Sequence, residues 1–91
     1  MTFNFEWDEE KESANIKKHG IDFESASFVF LDKNRIELFD KEHSVMEDRF
    51  ITIGIAEDVL SVVYTERKMS IRIISARHAT KKEIERYYNG N

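Results

Sequence analysis

Lysine, arginine and histidine side chains stand at the ends of predicted elements in this chain. Lys18 and His19 close a helix, Arg49 opens a strand, Arg67 follows Glu66 at a turn, and Arg77 and His78 end a strand. These residue types suit one reaction well. Cleavage of RNA by its own 2′-hydroxyl needs a group to take the hydroxyl proton, cations to stabilise the phosphorane, and an acid for the leaving oxygen. Arg and Lys meet the second need without a metal ion, and His or a Lys of depressed pKa can move the protons. Positions at element ends can converge on one rim of a small sheet, and that convergence is the expectation here. Each residue also has a plainer reading. Lys18 and His19 complement a helix dipole, Arg49 pairs with nearby Glu47 and Asp48, and Arg67 and His43 are solvated surface groups. Three scattered histidines lack the spacing of adjacent ligands, so no metal and no cofactor is expected. Gly-rich phosphate loops, His-Glu-x-x-His, Gly-x-Ser-x-Gly and EF-hand loops are all absent from the sequence.

The elements that must position these groups follow from periodicity and caps. The stretch from Ile71 is rich in β-branched residues and reads as a strand, and Thr80 with Glu83 has the spacing of a capping box that opens a helix over about Lys81 to Tyr88. Alternation puts Ile71, Ile73, Ser75 and Arg77 on one face. A guanidinium on that face needs a partner, so either a carboxylate satisfies Arg77 or it lines a cleft open to an anion. Phe3, Phe5 and Trp7 alternate as a first strand. Asp8 and Gly20 bracket a helix from about Glu9 to His19, whose only apolar residues, Ala14 and Ile16, predict a narrow contact stripe. Phe23, Ala26 and Phe30 recur at helical spacing as a second, short helix, and Leu31 to Asn34 reads as a loop. Arg35 to Asp40, Arg49 to Ala56 and Leu60 to Glu66 alternate as strands, the last two joined by a hairpin near Glu57 and Asp58. Gly54 suggests a bulge or a close backbone approach. The order predicts an α+β domain: a small antiparallel sheet, made of a four-strand meander plus an N-terminal strand, with two N-terminal helices and one C-terminal helix.

With 91 residues the chain is read as one domain, 1–91, and 41% hydrophobic content is enough for a compact core. The lack of cysteine excludes disulfides and Cys-ligated metals, and no run has transmembrane length, so a cytoplasmic protein without membrane contact is expected. The net charge of -4 argues against a general polyanion binder, but it is unevenly spread. Residues 1–64 hold seven Lys/Arg against fifteen Asp/Glu, and residues 65–91 hold seven against three. A basic end on an acidic protein can draw RNA or an acidic partner, unless the folded sheet interleaves the halves and cancels the field.

The residues as a set resemble the BrnT family of type II toxins. The likeness is carried by Phe5-Glu6-Trp7-Asp8, Lys18-His19-Gly20-Ile21, Glu47-Asp48-Arg49-Phe50, Val62-Val63-Tyr64-Thr65, and Ile71 to Arg77 with its Arg-Ile-Ile-Ser-Ala-Arg run. The resemblance implies a ribonuclease with a RelE-like fold that blocks translation by cutting RNA without a metal. It also implies a partner: a BrnA-like ribbon-helix-helix antitoxin that neutralises the toxin and carries it to operator DNA only indirectly. The residues it points to for catalysis are Lys18, His19, Arg67 and Arg77, with Glu66 beside Arg67. Arg49, Arg72 and Lys81 are expected to bind RNA. Lys68-Met69 stands where the family suggests a Gly-containing turn. A different reading is a non-catalytic binding module, the partner of a DNA-binding antitoxin.

Overall fold

The computed structural model describes residues 3–90. The chain runs β1 (Phe5–Trp7), α1 (Glu9–His19), α2 (Phe23–Ser27), a short 3-10 turn (Phe28–Leu31), β2 (Ile36–Phe39), β3 (Phe50–Ala56), β4 (Asp58–Arg67), β5 (Ser70–His78) and α3 (Lys81–Tyr88). The strands form one five-stranded sheet in the order β1-β5-β4-β3-β2. Strands β2 to β5 are the antiparallel meander the periodicity predicts. The first strand departs from the antiparallel expectation: β1 lies parallel to β5, with Phe5 opposite Ile71 and Trp7 opposite Ile73. Hairpins force antiparallel pairing, but β1 reaches its neighbour through helices and is free of that constraint.

Local chemistry explains the helix boundaries. The Asp8 carboxylate accepts from the Glu10 and Lys11 amides, and α1 ends where Gly20 adopts φ 73°. Thr80 and Glu83 form the full capping box at α3. The stretch predicted as one second helix divides, because the chain tightens into a 3-10 turn from Phe28, and that turn includes Leu31 of the predicted loop.

One layer of helices, α1, α2 and the 3-10 turn, covers one face of the sheet. Phe23, Ala26, Val29 and Phe30 meet Leu60, Val62, Tyr64, Ile73 and Ala76 there. Phe30 is central, with ring centroids 5.2 Å from Phe5 and 4.9 Å from Tyr64. Each such pair adds about 0.5–1.5 kcal/mol beyond its buried area. Gly54 is a close approach, as predicted: a Cβ there would lie 2.9 Å from Val29 Cγ1.

Two readings of the sequence are corrected here. Ala14 and Ile16 do not form the contact stripe of α1; both are exposed, and the buried residue is Asn15. Its carboxamide donates to the Ile21 and Ala76 carbonyls and accepts from the Ala76 amide, so it serves as a strand partner for β5 beyond the end of β1. Leaving one such buried backbone group unpaired costs about 1–3 kcal/mol. Arg77 does not share a face with Ile71 and Ile73. Tyr64 pairs with Ile73 and Val63 with Ser75, so Ile74 is an extra, bulged residue that reverses the alternation after it. Ala76 therefore joins the core with Ile73, and Arg77 turns to the opposite face.

Candidate active site

Register decides which side chains share a face. Opposite the helix layer lie Arg72, Ser75 and Arg77 of β5 and Ser61, Val63, Thr65 and Arg67 of β4, with Arg49 just before β3 on the same side. Four predicted arginines thus share the sheet face opposite α1 and α2, a face that α3 covers in part, since Ile53 and Ser61 on it are buried and Glu83 of α3 reaches Arg77 there. Glu66, paired with Ile71, alternates to the helix side and away from Arg67.

Along the sheet, however, the residues form two groups rather than one rim. At the β4–β5 hairpin are Glu66, Arg67 and Arg72, with Arg49 close by. This hairpin closes through Lys68 and Met69 without a positive φ, since Glu57 is the only non-glycine described with one. At the other end, Arg77 faces Ser61 across the strands. Arg67 lies six residues beyond Ser61 along β4, about 20 Å at 3.3 Å per residue. Arg67 is drawn to Glu47 at 3.4 Å and Arg77 to Glu83, so the two guanidiniums do not meet over a single phosphate.

Arg77 is bidentate. Its Nη1 and Nη2 donate to the two oxygens of Glu83 at 2.8 and 3.0 Å, and the same carboxylate accepts from the Thr80 amide at 2.9 Å. The Arg77 hydrogen bonds hold the Glu83 carboxyl below its ordinary pKa, and Glu83 in turn raises that of Arg77. Of the two options left open by the sequence, a carboxylate satisfies this arginine. Arg72 donates to Glu6 at 2.9 Å, and Glu6 also accepts from the Ser70 hydroxyl; the Ser70 and Arg72 hydrogen bonds hold its carboxyl low. The Arg72–Glu6 pair, with Arg67–Glu47, is the interleaving that offsets the segregated charge.

Lys18 and His19 belong to the Arg77 end. They lie three and four residues after Asn15, on the same side of α1, and Asn15 is hydrogen bonded to Ala76, next to Arg77. Lys18 is exposed and His19 half-buried. Lys81, exposed in the first turn of α3, stands at this end too. His78 lies 3.9 Å from the Asp58 carboxylate across the strands, whereas His43 bonds Asp40 in the 41–49 loop, away from this group. Among the described residues no three His, Asp or Glu side chains are grouped to hold a metal ion. At this end of the sheet Lys18 and His19 stand on the helix side, and Arg77, held by Glu83, stands on the opposite face, so cations suited to an anion and an imidazole suited to proton exchange flank the same strand end from its two sides.

Sequence reasoning missed Glu83 as the partner of Arg77, although its capping-box position was visible, and missed Asn15, a lone amide inside a polar helix. Its burial next to a strand end was the signal that only the fold supplies.

Residues 7–83 match the family described as the ribonuclease toxin, BrnT, of type II toxin-antitoxin systems. No curated protein matches significantly. Among solved structures, the 1.1 Å crystal structure of the Brucella abortus ribonuclease toxin BrnT is similar, with a TM-score of 0.69 and 27% identity, over 88% of this chain and 100% of that one. No described helix is long and apolar enough to cross a membrane. With the match spanning most of its length, this chain belongs to the BrnT family of type II toxin-antitoxin ribonuclease toxins.

Proposed function

We propose that this protein is an endoribonuclease that cuts RNA without a metal ion, so stopping translation, and that a BrnA-like ribbon-helix-helix antitoxin neutralises it and links it to operator DNA. The observation that carries the reading, beside the family, is the register that places Arg49, Arg67, Arg72 and Arg77 on one sheet face. In this reading a single RNA strand passes the arginines of that face and turns over the strand end at Arg77 to meet Lys18 and His19 on the helix side. Arg49, Arg67, Arg72 and Lys81 hold flanking phosphates, and the scissile phosphate sits at the Arg77 end. His19 takes the 2′-hydroxyl proton, the 2′-oxygen bonds to phosphorus as the bond to the 5′-oxygen breaks, and a proton returns to that 5′-oxygen. Lys18 and Arg77 stabilise the charge on the phosphorane. Glu66, on the far side of the sheet, has no role in it.

The test is cleavage of a mixed-sequence RNA by the purified, antitoxin-free protein with EDTA present. Wild type should cut, and His19→Ala and Lys18→Ala should each lose about 10²–10⁴-fold in rate while staying folded. Arg67→Ala should weaken RNA binding more than it slows the chemical step. One observation favours the non-catalytic alternative: Arg67, Arg72 and Arg77 are each already paired with a carboxylate. A folded wild-type protein that cuts no RNA would establish that binding-module reading instead.

A further inference from the structure

On the helix side of the sheet, between the end of α1 and the end of β5, lies a cleft of about 470 Å³. Gly20, which follows His19, and His78, which follows Arg77, both line it. Its apolar wall includes Ile21 and Leu60, both buried, and the ring of Phe28, which is 55% exposed although it belongs to the helix layer. Its acidic side is Glu57 and Asp58 at the β3–β4 turn. The third carboxylate, Asp22, is already occupied by the amide and hydroxyl of Ser25, and Asp58 stands 3.9 Å from His78, which leaves Glu57 as the carboxylate with no side-chain partner among the described residues.

This combination repels a phosphate and suits a flat apolar group with hydrogen-bond donors on its edge. A nucleobase is such a group: its face stacks on an exposed aromatic ring, and carboxylates accept from its amino edge. Among the four bases, guanine alone presents an N–H and an NH₂ side by side, two donors that match the two oxygens of one carboxylate. Adenine and cytosine set an acceptor nitrogen beside their amino group, and uracil sets carbonyls on both sides of its N–H; carboxylates repel those acceptors. A base seated here leaves its own phosphate at the end of α1, where Lys18 and His19 directly precede Gly20 of the cleft wall.

We propose that this cleft is a nucleobase pocket that selects guanine at the nucleotide adjoining the scissile phosphate. The proposal rests on the ribonuclease reading above and deepens it. It is tested first by binding, which needs no cleavage. Guanosine, adenosine, cytidine and uridine 3′-monophosphates are titrated into the full chain, and backbone amide shifts are followed by NMR. Guanosine 3′-monophosphate should shift the amides of Gly20, Phe28 and Asp58, and the other three should bind about ten-fold more weakly or worse. Phe28→Ala should weaken all four, whereas Glu57→Gln with Asp58→Asn should erase the preference for guanine, with dispersed spectra showing that both variants fold. Equal binding of the four nucleotides, no binding, or shifts confined to the β4–β5 hairpin would overturn the proposal. So would shifts of the cleft amides by a lysine-rich peptide and not by the nucleotide, which would make the cleft a protein-docking surface. Mapping the cut sites in RNA then separates the two readings. Cuts without guanine bias leave the ribonuclease and remove the pocket, whereas guanine binding with no cleavage leaves the pocket and removes the ribonuclease.

Discussion

Glu83 does two jobs with one carboxylate: it closes the cap of α3 and grips Arg77 with both oxygens. Its folded pKa lies below the ordinary 4.5, chiefly because Arg77 donates to it. A depressed carboxyl pKa contributes stability above the unfolded value, and that contribution is lost as pH falls through the folded pKa. Glu83→Gln keeps the size of the side chain and removes the charge. It should cost about 1 kcal/mol at neutral pH, since the pair is half-exposed and screened. The gap between wild type and variant should hold down to about pH 4.5 and close below it. Denaturant titrations at a series of pH values measure this directly, and a gap of constant size down to pH 2 would show that the Arg77 pairing is not its source.

At the scale of elements, α3 is fastened at both ends. Glu83 ties its first turn to β5, and near its end the Tyr87 hydroxyl donates to Asp32, just after the 3-10 turn. Burial, then the Asp32 carboxylate, pushes the Tyr87 pKa up to about 12. Burial opposes the Asp32 charge, yet hydrogen bonds from Tyr87 and from the Ile55 and Asn34 amides outweigh it and hold that carboxyl low. Tyr87→Phe should therefore cost about 1.5–3 kcal/mol, raise the Asp32 pKa towards its ordinary value, and speed hydrogen exchange along α3 while β4 and β5 stay protected. Unchanged exchange in α3 would mean that the Asp32 contact does not anchor it. The helix itself was legible in the sequence, because Thr80 and Glu83 are local signals, as Asp8 and Gly20 are for α1. The bulge at Ile74 was not, because β5 is apolar at Ile73 and Ile74 alike and only the pairing with β4 reveals the extra residue. One hidden residue put Arg77 on the wrong face in the sequence reading. Likewise, the parallel seat of β1 depends on a partner more than sixty residues away. The residue types of the candidate site were legible, but their division between two ends of the sheet was not.

For the molecule as a whole, net acidity and RNA binding have to coexist. The carboxylates outnumber the cations, yet register gathers Arg49, Arg67, Arg72 and Arg77 on one face. Three of them carry a carboxylate partner at 3.4 Å or less, while Arg49 has no ion pair among the described residues. A phosphate approaching Arg67, Arg72 or Arg77 must compete with a fixed carboxylate, whereas one approaching Arg49 displaces only mobile counterions. The four arginines should then contribute unequally to the salt dependence of binding. With 2′-O-methyl RNA, which lacks the attacking hydroxyl and cannot be cut by this route, Arg49→Ala should lower the slope of log K against log salt by about 0.7, the value for one phosphate contact on a single strand. Arg72→Ala should lower it by less, because the freed Glu6 adds repulsion at every salt concentration without removing a full counterion release. Both losses should be the same for RNAs of different sequence, since phosphate contacts carry no base information. Equal slopes for wild type and Arg49→Ala would place the RNA off this face, whatever the protein does to it chemically.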